Sequence, residues 1–349
     1  MEFKIADKNI GYGHSVFFIA EAGVNHNGSI DLGKKLIDEA VNAGADAVKF
    51  QTFTAHELNT KEAPKSTYHI ETTGSDKDES WFELLKTQEI SYDMHIELIN
   101  YCKKNNIIFL STPYGMKSAD LLEDLDVPAF KIASTDTNNI PLLKYIAKKK
   151  RPMILSSAMS NMKEVKEAIN AVKDFGLDDV AMLQCTGNYP SKLSDSNLRV
   201  IKTYIKELNC IVGYSDHTPD MINPIAATIM GAKIYEKHFT LDKSLPGPDH
   251  RMSLDPLELK QTVELIRKAE ISLGSDTKQV LNNEKENRLK LRKSIVSIVD
   301  INKNDIIREN MIGIKRPGTG LPPKEFENVC GKKAKSFIPK DTVIDIKDI

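Results

Sequence analysis

Short apolar runs punctuate this chain at regular intervals, each closing on a polar cluster and followed by a stretch of helical periodicity. The runs fall at 16–22, 47–53, 107–111, 129–132, 153–156, 180–184, 211–213 and 234–238. Runs this short, rich in Val, Ile and Phe, predict strands buried along their length. Between them, Leu32, Leu36, Ile37, Ala40 and Val41 form one apolar stripe stopped by Gly44. Ile96, Leu98, Ile99 and Cys102 repeat that spacing, as do Val165, Ala168, Ile169 and Val172 ahead of Gly176. Strands alternating with helices imply right-handed crossovers and a parallel sheet. Eight such units in about 250 residues favour a closed (β/α)8 TIM barrel over an open sheet.

The pattern changes after Ser272-Leu273-Gly274. We read residues 1–275 as the barrel and 276–293 as a charged linker. Residues 294–349 then form a small β-rich module, with strand-like runs at 295–299, 312–315 and 343–346. Residues 54–90 are polar and long for a barrel loop, which suggests a lid or a subunit contact.

Composition narrows the function classes. Across 349 residues, 48 Lys and Arg balance 49 Asp and Glu, and no basic stripe interleaves with aromatics, so a nucleic-acid role is not expected. No apolar run approaches the roughly 18 residues of a membrane span, and the N-terminus lacks the zones of a secretory signal. Cys102, Cys185, Cys210 and Cys330 have no metal-knuckle spacing and read as reduced thiols. The expectation is a cytoplasmic protein.

Catalytic groups of such barrels sit at the C-terminal strand ends. Two of those ends carry Gly213-Tyr214-Ser215-Asp216-His217-Thr218 and, one strand-helix unit later, Glu236-Lys237-His238-Phe239-Thr240. Imidazoles converging from neighbouring strand ends suit a divalent metal, with Asp216 and Asp249 in the neighbourhood; two unrelated loop histidines are the alternative. His14, His56, His69 and His95 read as loop or helix-surface residues. Lys49 and Lys131 are embedded in apolar strands, where an unpaired ammonium is costly. They could be structural ions paired with Glu21 and Asp136, or a Schiff-base lysine could be among them. Alternatively, with the hydroxyls of Thr112, Ser134, Ser156 and Ser157, they form a site for a phosphate-bearing acid. A phosphate-carboxylate pocket beside a Lewis-acid metal suggests carbon–carbon bond formation.

Taken in order, these motifs resemble the sialic acid synthase family. They are Glu21-Ala22-Gly23-Val24-Asn25-His26-Asn27-Gly28, Val48-Lys49-Phe50-Gln51, Ser111-Thr112-Pro113, Phe130-Lys131-Ile132-Ala133-Ser134, the two histidine segments and Gly247-Pro248-Asp249. The module around Lys315-Arg316-Pro317-Gly318 resembles that family's C-terminal antifreeze-like (SAF) domain. The resemblance implies condensation of phosphoenolpyruvate with an N-acetylmannosamine-type amino sugar. It implies Mn²⁺ or Mg²⁺ on His217 and His238, and phosphoenolpyruvate on Lys49, Thr112, Lys131, Ser134 and Ser156. Glu21, Gln51, Tyr189 and Asp249 would face the sugar or the reacting centre, with Glu21 steering a proton.

It further implies a domain-swapped homodimer in which Arg316 reaches a partner's barrel. Some bacterial sialate synthases have Ser-Gly-Glu where this chain has Ser134-Thr135-Asp136, and Thr-Asn-Ile-Tyr-Pro where it has Thr186-Gly187-Asn188-Tyr189-Pro190. Asp136 and Asn188 therefore join the sugar-binding candidates, and a legionaminic acid synthase, using a 2,4-diacetamido-2,4,6-trideoxy sugar, is the nearest alternative. A 3-deoxy-sugar-phosphate synthase would need a second basic cluster. A non-catalytic carbohydrate-binding protein would leave the lysines and histidines without a task.

Overall fold

The computed structural model describes residues 1–75 and 79–349. Within 54–90, residues 76–78 therefore lie outside the described residues. The chain divides into two compact units, Met1–Gly274 and Ser275–Ile349.

In the first unit, a hairpin of β1 (Glu2–Ile5) and β2 (Lys8–Gly11) precedes a closed parallel barrel. The barrel strands are β3 (Phe17–Gly23), β4 (Ala47–Thr52), β5 (Ile108–Pro113), β6 (Phe130–Ile132), β7 (Met153–Ser156), β8 (Val180–Cys185), β9 (Ile211–Asp216) and β10 (Ile234–His238). Each pairs with its neighbour in sequence, and β10 returns to β3 with Ile234 opposite Phe17 and His238 opposite Glu21. All eight expected runs became strands, with ends shifted by no more than a few residues.

Local chemistry explains the crossovers. The helix Ile30–Ala43 begins where the Ser29 hydroxyl accepts the Leu32 amide. It buries Leu36, Ile37 and Ala40, and ends at Gly44 with φ 78°, the left-handed conformation glycine adopts without strain. Side chains alternate across each strand. Phe18, Val48, Phe130, Met182, Val212 and Tyr235 face outward into the helix layer. Phe17, Ile19, Ala47, Leu110, Ala129, Ile154, Ala181, Leu183, Ile211 and Ile234 face inward, where Phe3, Ile5 and Ile10 of the hairpin join them. The lower barrel is thus a packed apolar plug, and only the layer above it is free for chemistry.

Residues 54–90 are not a bare loop. They hold the short helices Ala55–Leu58, Thr67–Thr73 and Trp81–Thr87, capped by Thr54, Ser66 and Ser80. Phe82 and Leu85 pack on Val24, Phe53 and Ala55, fixing this excursion to the barrel rim.

The second unit pairs β11 (Ser294–Ser297) antiparallel with β12 (Ile312–Lys315) around Ile295, Ile301, Ile307, Ile312, Val329, Ala334, Ile338 and Ile344. The third expected run is not a strand. Val343 makes one bridge to Val296, and Asp345 then accepts the Ile346 amide and starts a tight turn. Within the expected linker, Lys285–Leu291 is a short exposed helix. Among the described residues no helix is long and apolar enough to cross a membrane.

Candidate active site

Two residues beyond the inward apolar layer, the same alternation brings Glu21, Lys49, Thr112, Lys131, Ser156, Cys185, Ser215 and Glu236 to the barrel mouth, one from each strand. They floor a cavity of about 690 Å³. Short hydrogen bonds and ion pairs tie this ring together. Lys49 Nζ donates to Thr112 Oγ1 at 3.0 Å, is ion-paired with Glu21 and stands 3.9 Å from Glu236. Lys131 Nζ donates to Ser156 Oγ at 2.7 Å and lies 3.5 Å from Glu236, whose other partner is the Ser215 hydroxyl at 3.1 Å.

Burial dominates the electrostatics. It pushes the Glu21 carboxyl up to about 7 even though Lys49 and Gln51 pull the other way. It also lowers Lys131, against which Glu236 works. Burial opposes ionisation of Glu236 too, but Lys131 and Lys49 outweigh it and hold this carboxyl below its ordinary range. Glu236 is therefore the standing counter-ion of Lys131, and it shares Lys49 with Glu21, the nearer carboxylate.

The histidines meet as expected. His217 and His238 have ring centroids 5.6 Å apart. His217 Nδ1 donates to the Thr186 carbonyl at 2.7 Å, and the Cys185 sulfur lies 4.0 Å from Nε2; burial would lower this imidazole, but Cys185 and the Thr186 carbonyl outweigh it and raise it. His238 Nδ1 is buried without a hydrogen-bond partner and faces Asp249 Oδ2 at 3.9 Å. Burial keeps His238 neutral, well below the ordinary histidine range. Burial also raises Asp249 to about 6. The orphaned nitrogen of His238 and the neighbouring His217 ring are two imidazoles of the kind a divalent cation takes, but among the described residues no group of three or more His, Cys, Asp or Glu is placed to hold a metal ion. The Tyr189 ring covers this pair, 4.2 Å from His217 and 6.0 Å from His238.

Gln51, Ser134, Asp136, Tyr189 and Asp249 also line the cavity. Gln51 Nε2 donates to Glu21 at 3.2 Å, the Ser134 hydroxyl accepts the Ala158 amide at 3.0 Å, and Asp136 accepts Asn139 at 2.9 Å.

Several expected placements are corrected. Asp216 has outward parity and takes no part in the cavity. It accepts Lys237 at 2.9 Å and the Tyr235 hydroxyl at 2.6 Å beneath the helix layer. Lys131 finds Glu236, not Asp136, as its carboxylate. Ser157 turns outward to the Leu183 carbonyl and the Tyr204 hydroxyl. Asn188 lines a separate cavity of about 520 Å³. Arg316, by contrast, keeps its expected place: it lies in the second unit with its side chain exposed. His95 is not a surface residue: it is fully buried between Thr52 Oγ1 and the Ser91 carbonyl. His69 lines the cavity, stacked on Trp81 at 4.2 Å. Glu236, Ser215 and Cys185 were missed as site residues. Counting two positions on from the last inward apolar residue of β10 or β8, or four from Ile211, would have found them.

A model of the NeuB family matches residues 36–278. The chain belongs to that family. A model of the SAF domain matches residues 292–349. The chain is 41% identical to the N,N'-diacetyllegionaminic acid synthase of Campylobacter jejuni, over 93% of this chain and 98% of that one. It is 38% identical to the N-acetylneuraminate-9-phosphate synthase of Homo sapiens, over 96% and 93%. The solved structure of the spore coat polysaccharide biosynthesis protein SpsE from Bacillus subtilis is similar with a TM-score of 0.69 and 39% identity, covering 100% of this chain and 99% of that one. The NeuB-family barrel followed by an SAF region thus agrees with the reading from sequence.

Proposed function

We propose that this enzyme condenses phosphoenolpyruvate with an N-acetylated amino sugar of the mannosamine type and water, releasing phosphate and a nonulosonic acid. The observation that carries the reading is the Lys49–Glu236–Lys131 arrangement, ringed by Thr112, Ser156 and Ser215, on the same cavity floor as His217 and His238. Two ammoniums and three hydroxyls offer the donors that a phosphate and a carboxylate require. Among the described residues, the lysines that line the cavity are these two.

Lys49 and Lys131 hold the enolpyruvate with C3 facing the open-chain aldehyde carbon, while Glu236 pairs with Lys131 and, together with Glu21, with Lys49 before substrate arrives. C3 attacks that carbon, water adds at C2, and the tetrahedral centre expels phosphate. Glu21, poised near neutrality beside Lys49 and Gln51, takes the proton of the entering water or returns it to the new hydroxyl. Mn²⁺ or Mg²⁺ on His217 and His238 would supply Lewis acidity to the aldehyde oxygen. Asp136, Tyr189 and Asp249 orient the sugar. Arg316 of one copy completes the site of another in a swapped homodimer.

N-acetylmannosamine is the first acceptor to test. The 2,4-diacetamido-2,4,6-trideoxy analogue is the second reading, favoured by the 41% identity to a synthase named for diacetyllegionaminic acid. Phosphate release from phosphoenolpyruvate with each sugar tests the proposal, and release with neither rejects it.

A further inference from the structure

Tyr68 borders the main cavity from the helix Thr67–Thr73, which starts at the Ser66 cap. Its ring centroid lies 6.2 Å from that of Tyr189, the side chain that covers His217 and His238. Tyr68 as a whole is half-buried, but its hydroxyl oxygen is fully buried and makes no hydrogen bond among the described residues. Burial pushes the phenol up to about 12. The nearby Asp249 carboxylate pushes the same way, while Arg251 and the Met252 amide work against both. An amide N–H can only donate, so the phenolic proton has no acceptor.

A buried hydroxyl left unpaired costs stability, and a phenylalanine would fill the same space without that cost. The place of Tyr68 in the fold accounts for the exception. The donors assigned to phosphoenolpyruvate, Lys49, Thr112, Lys131 and Ser156, belong to strands and form the cavity floor. Tyr68, Tyr189 and Asp249 come instead from a rim helix and from loops beyond the strand ends, where the second substrate must lie to present its aldehyde to C3. An amino sugar carries what this phenol lacks. Its hydroxyl and acetamido oxygens accept a proton, and its apolar ring face packs on aromatic side chains.

We propose that Tyr68 is a binding residue for the acceptor sugar, donating its phenolic proton to an oxygen of that substrate beside Asp249. This rests on the proposed synthase activity and adds a residue to its acceptor site. The idle donor of the free protein becomes a satisfied one only when the sugar is present.

The test compares full-length wild type with Tyr68→Phe, which removes the hydroxyl and keeps the ring. Phosphate release is followed with N-acetylmannosamine and with its 2,4-diacetamido-2,4,6-trideoxy analogue, and melting temperature is measured without substrates. Tyr68→Phe should lower kcat/KM for the acceptor by about tenfold, the worth of one hydrogen bond, mainly through KM. Its KM for phosphoenolpyruvate and its melting temperature should not fall below or rise above those of wild type. An unchanged kcat/KM for the acceptor would overturn the proposal. So would a lowered melting temperature with equal losses toward both substrates, because the hydroxyl would then be serving the fold. Absence of phosphate release by wild type with either sugar would instead reject the underlying activity, so the two failures are distinguishable.

Discussion

Glu236 lies 3.5 Å from the Lys131 ammonium, both groups buried on the floor of the barrel mouth. Lys49 approaches the same carboxylate at 3.9 Å. Removing the negative charge leaves the buried Lys131 without a carboxylate and Lys49 with Glu21 alone. Glu236→Gln should therefore destabilise the protein by about 3–5 kcal/mol, as breaking a buried pair does. Phosphoenolpyruvate brings the missing charge, so its stabilising shift in melting temperature should be larger in Glu236→Gln than in wild type. Thermal denaturation with and without the ligand checks this, and equal shifts would mean that the ligand does not sit on the lysines.

Divalent metal should bind through His217 and His238. Dialysis against chelator followed by Mn²⁺ should abolish and restore turnover, and elemental analysis should find close to one ion per chain. His217→Ala should lower that occupancy at least tenfold. Full activity in excess chelator would contradict the assignment.

Acid should weaken the fold through its buried histidines. Burial lowers His26 and His250 to about 4, and lowers His95 as well. His26 and His250 take protons in the unfolded chain near pH 6.5 but not in the folded one until about pH 4. Their contribution is fully present above pH 6.5 and is lost as pH falls toward 4. His26 alone accounts for up to about 3 kcal/mol across that window. His26→Asn should flatten the fall in stability between pH 6.5 and 4, measured by denaturant titration at each pH. A slope identical to wild type would show that His26 protonates in the folded state.

Much of this site was legible in the sequence because a barrel strand obeys a strict two-residue alternation. Once Lys49, Lys131 and His238 are inward, Glu236 must be inward too, and Asp216, one residue after inward Ser215, must point out to Lys237. Neighbourhood in sequence mistook Asp216 for a cavity residue where parity places it beneath the helices. The wall from residues 54–90 was harder to read, since no strand parity governs it. His69 stacks on Trp81 because three short capped helices fold back on Phe53 and Val24, a tertiary arrangement that local polarity conceals. His95 misled for a similar reason. Its helix position looked exposed, yet Thr52 and Ser91 enclose it.

The swapped arrangement proposed for Arg316 predicts complementation. Arg316→Ala and Lys131→Ala chains, each inactive alone, should regain partial activity when co-refolded, because hybrid dimers contain one intact site. If the mixture stays inactive while wild-type chains recover under the same protocol, Arg316 does not act in trans.

The most direct measurement is phosphate release from phosphoenolpyruvate by the metal-loaded protein. It is run with N-acetylmannosamine, with its 2,4-diacetamido-2,4,6-trideoxy analogue, and with no sugar. Stoichiometric phosphate that requires an amino sugar and disappears in Lys131→Ala is the predicted result. Phosphate release that is independent of sugar, or absent with both sugars, would contradict the synthase reading.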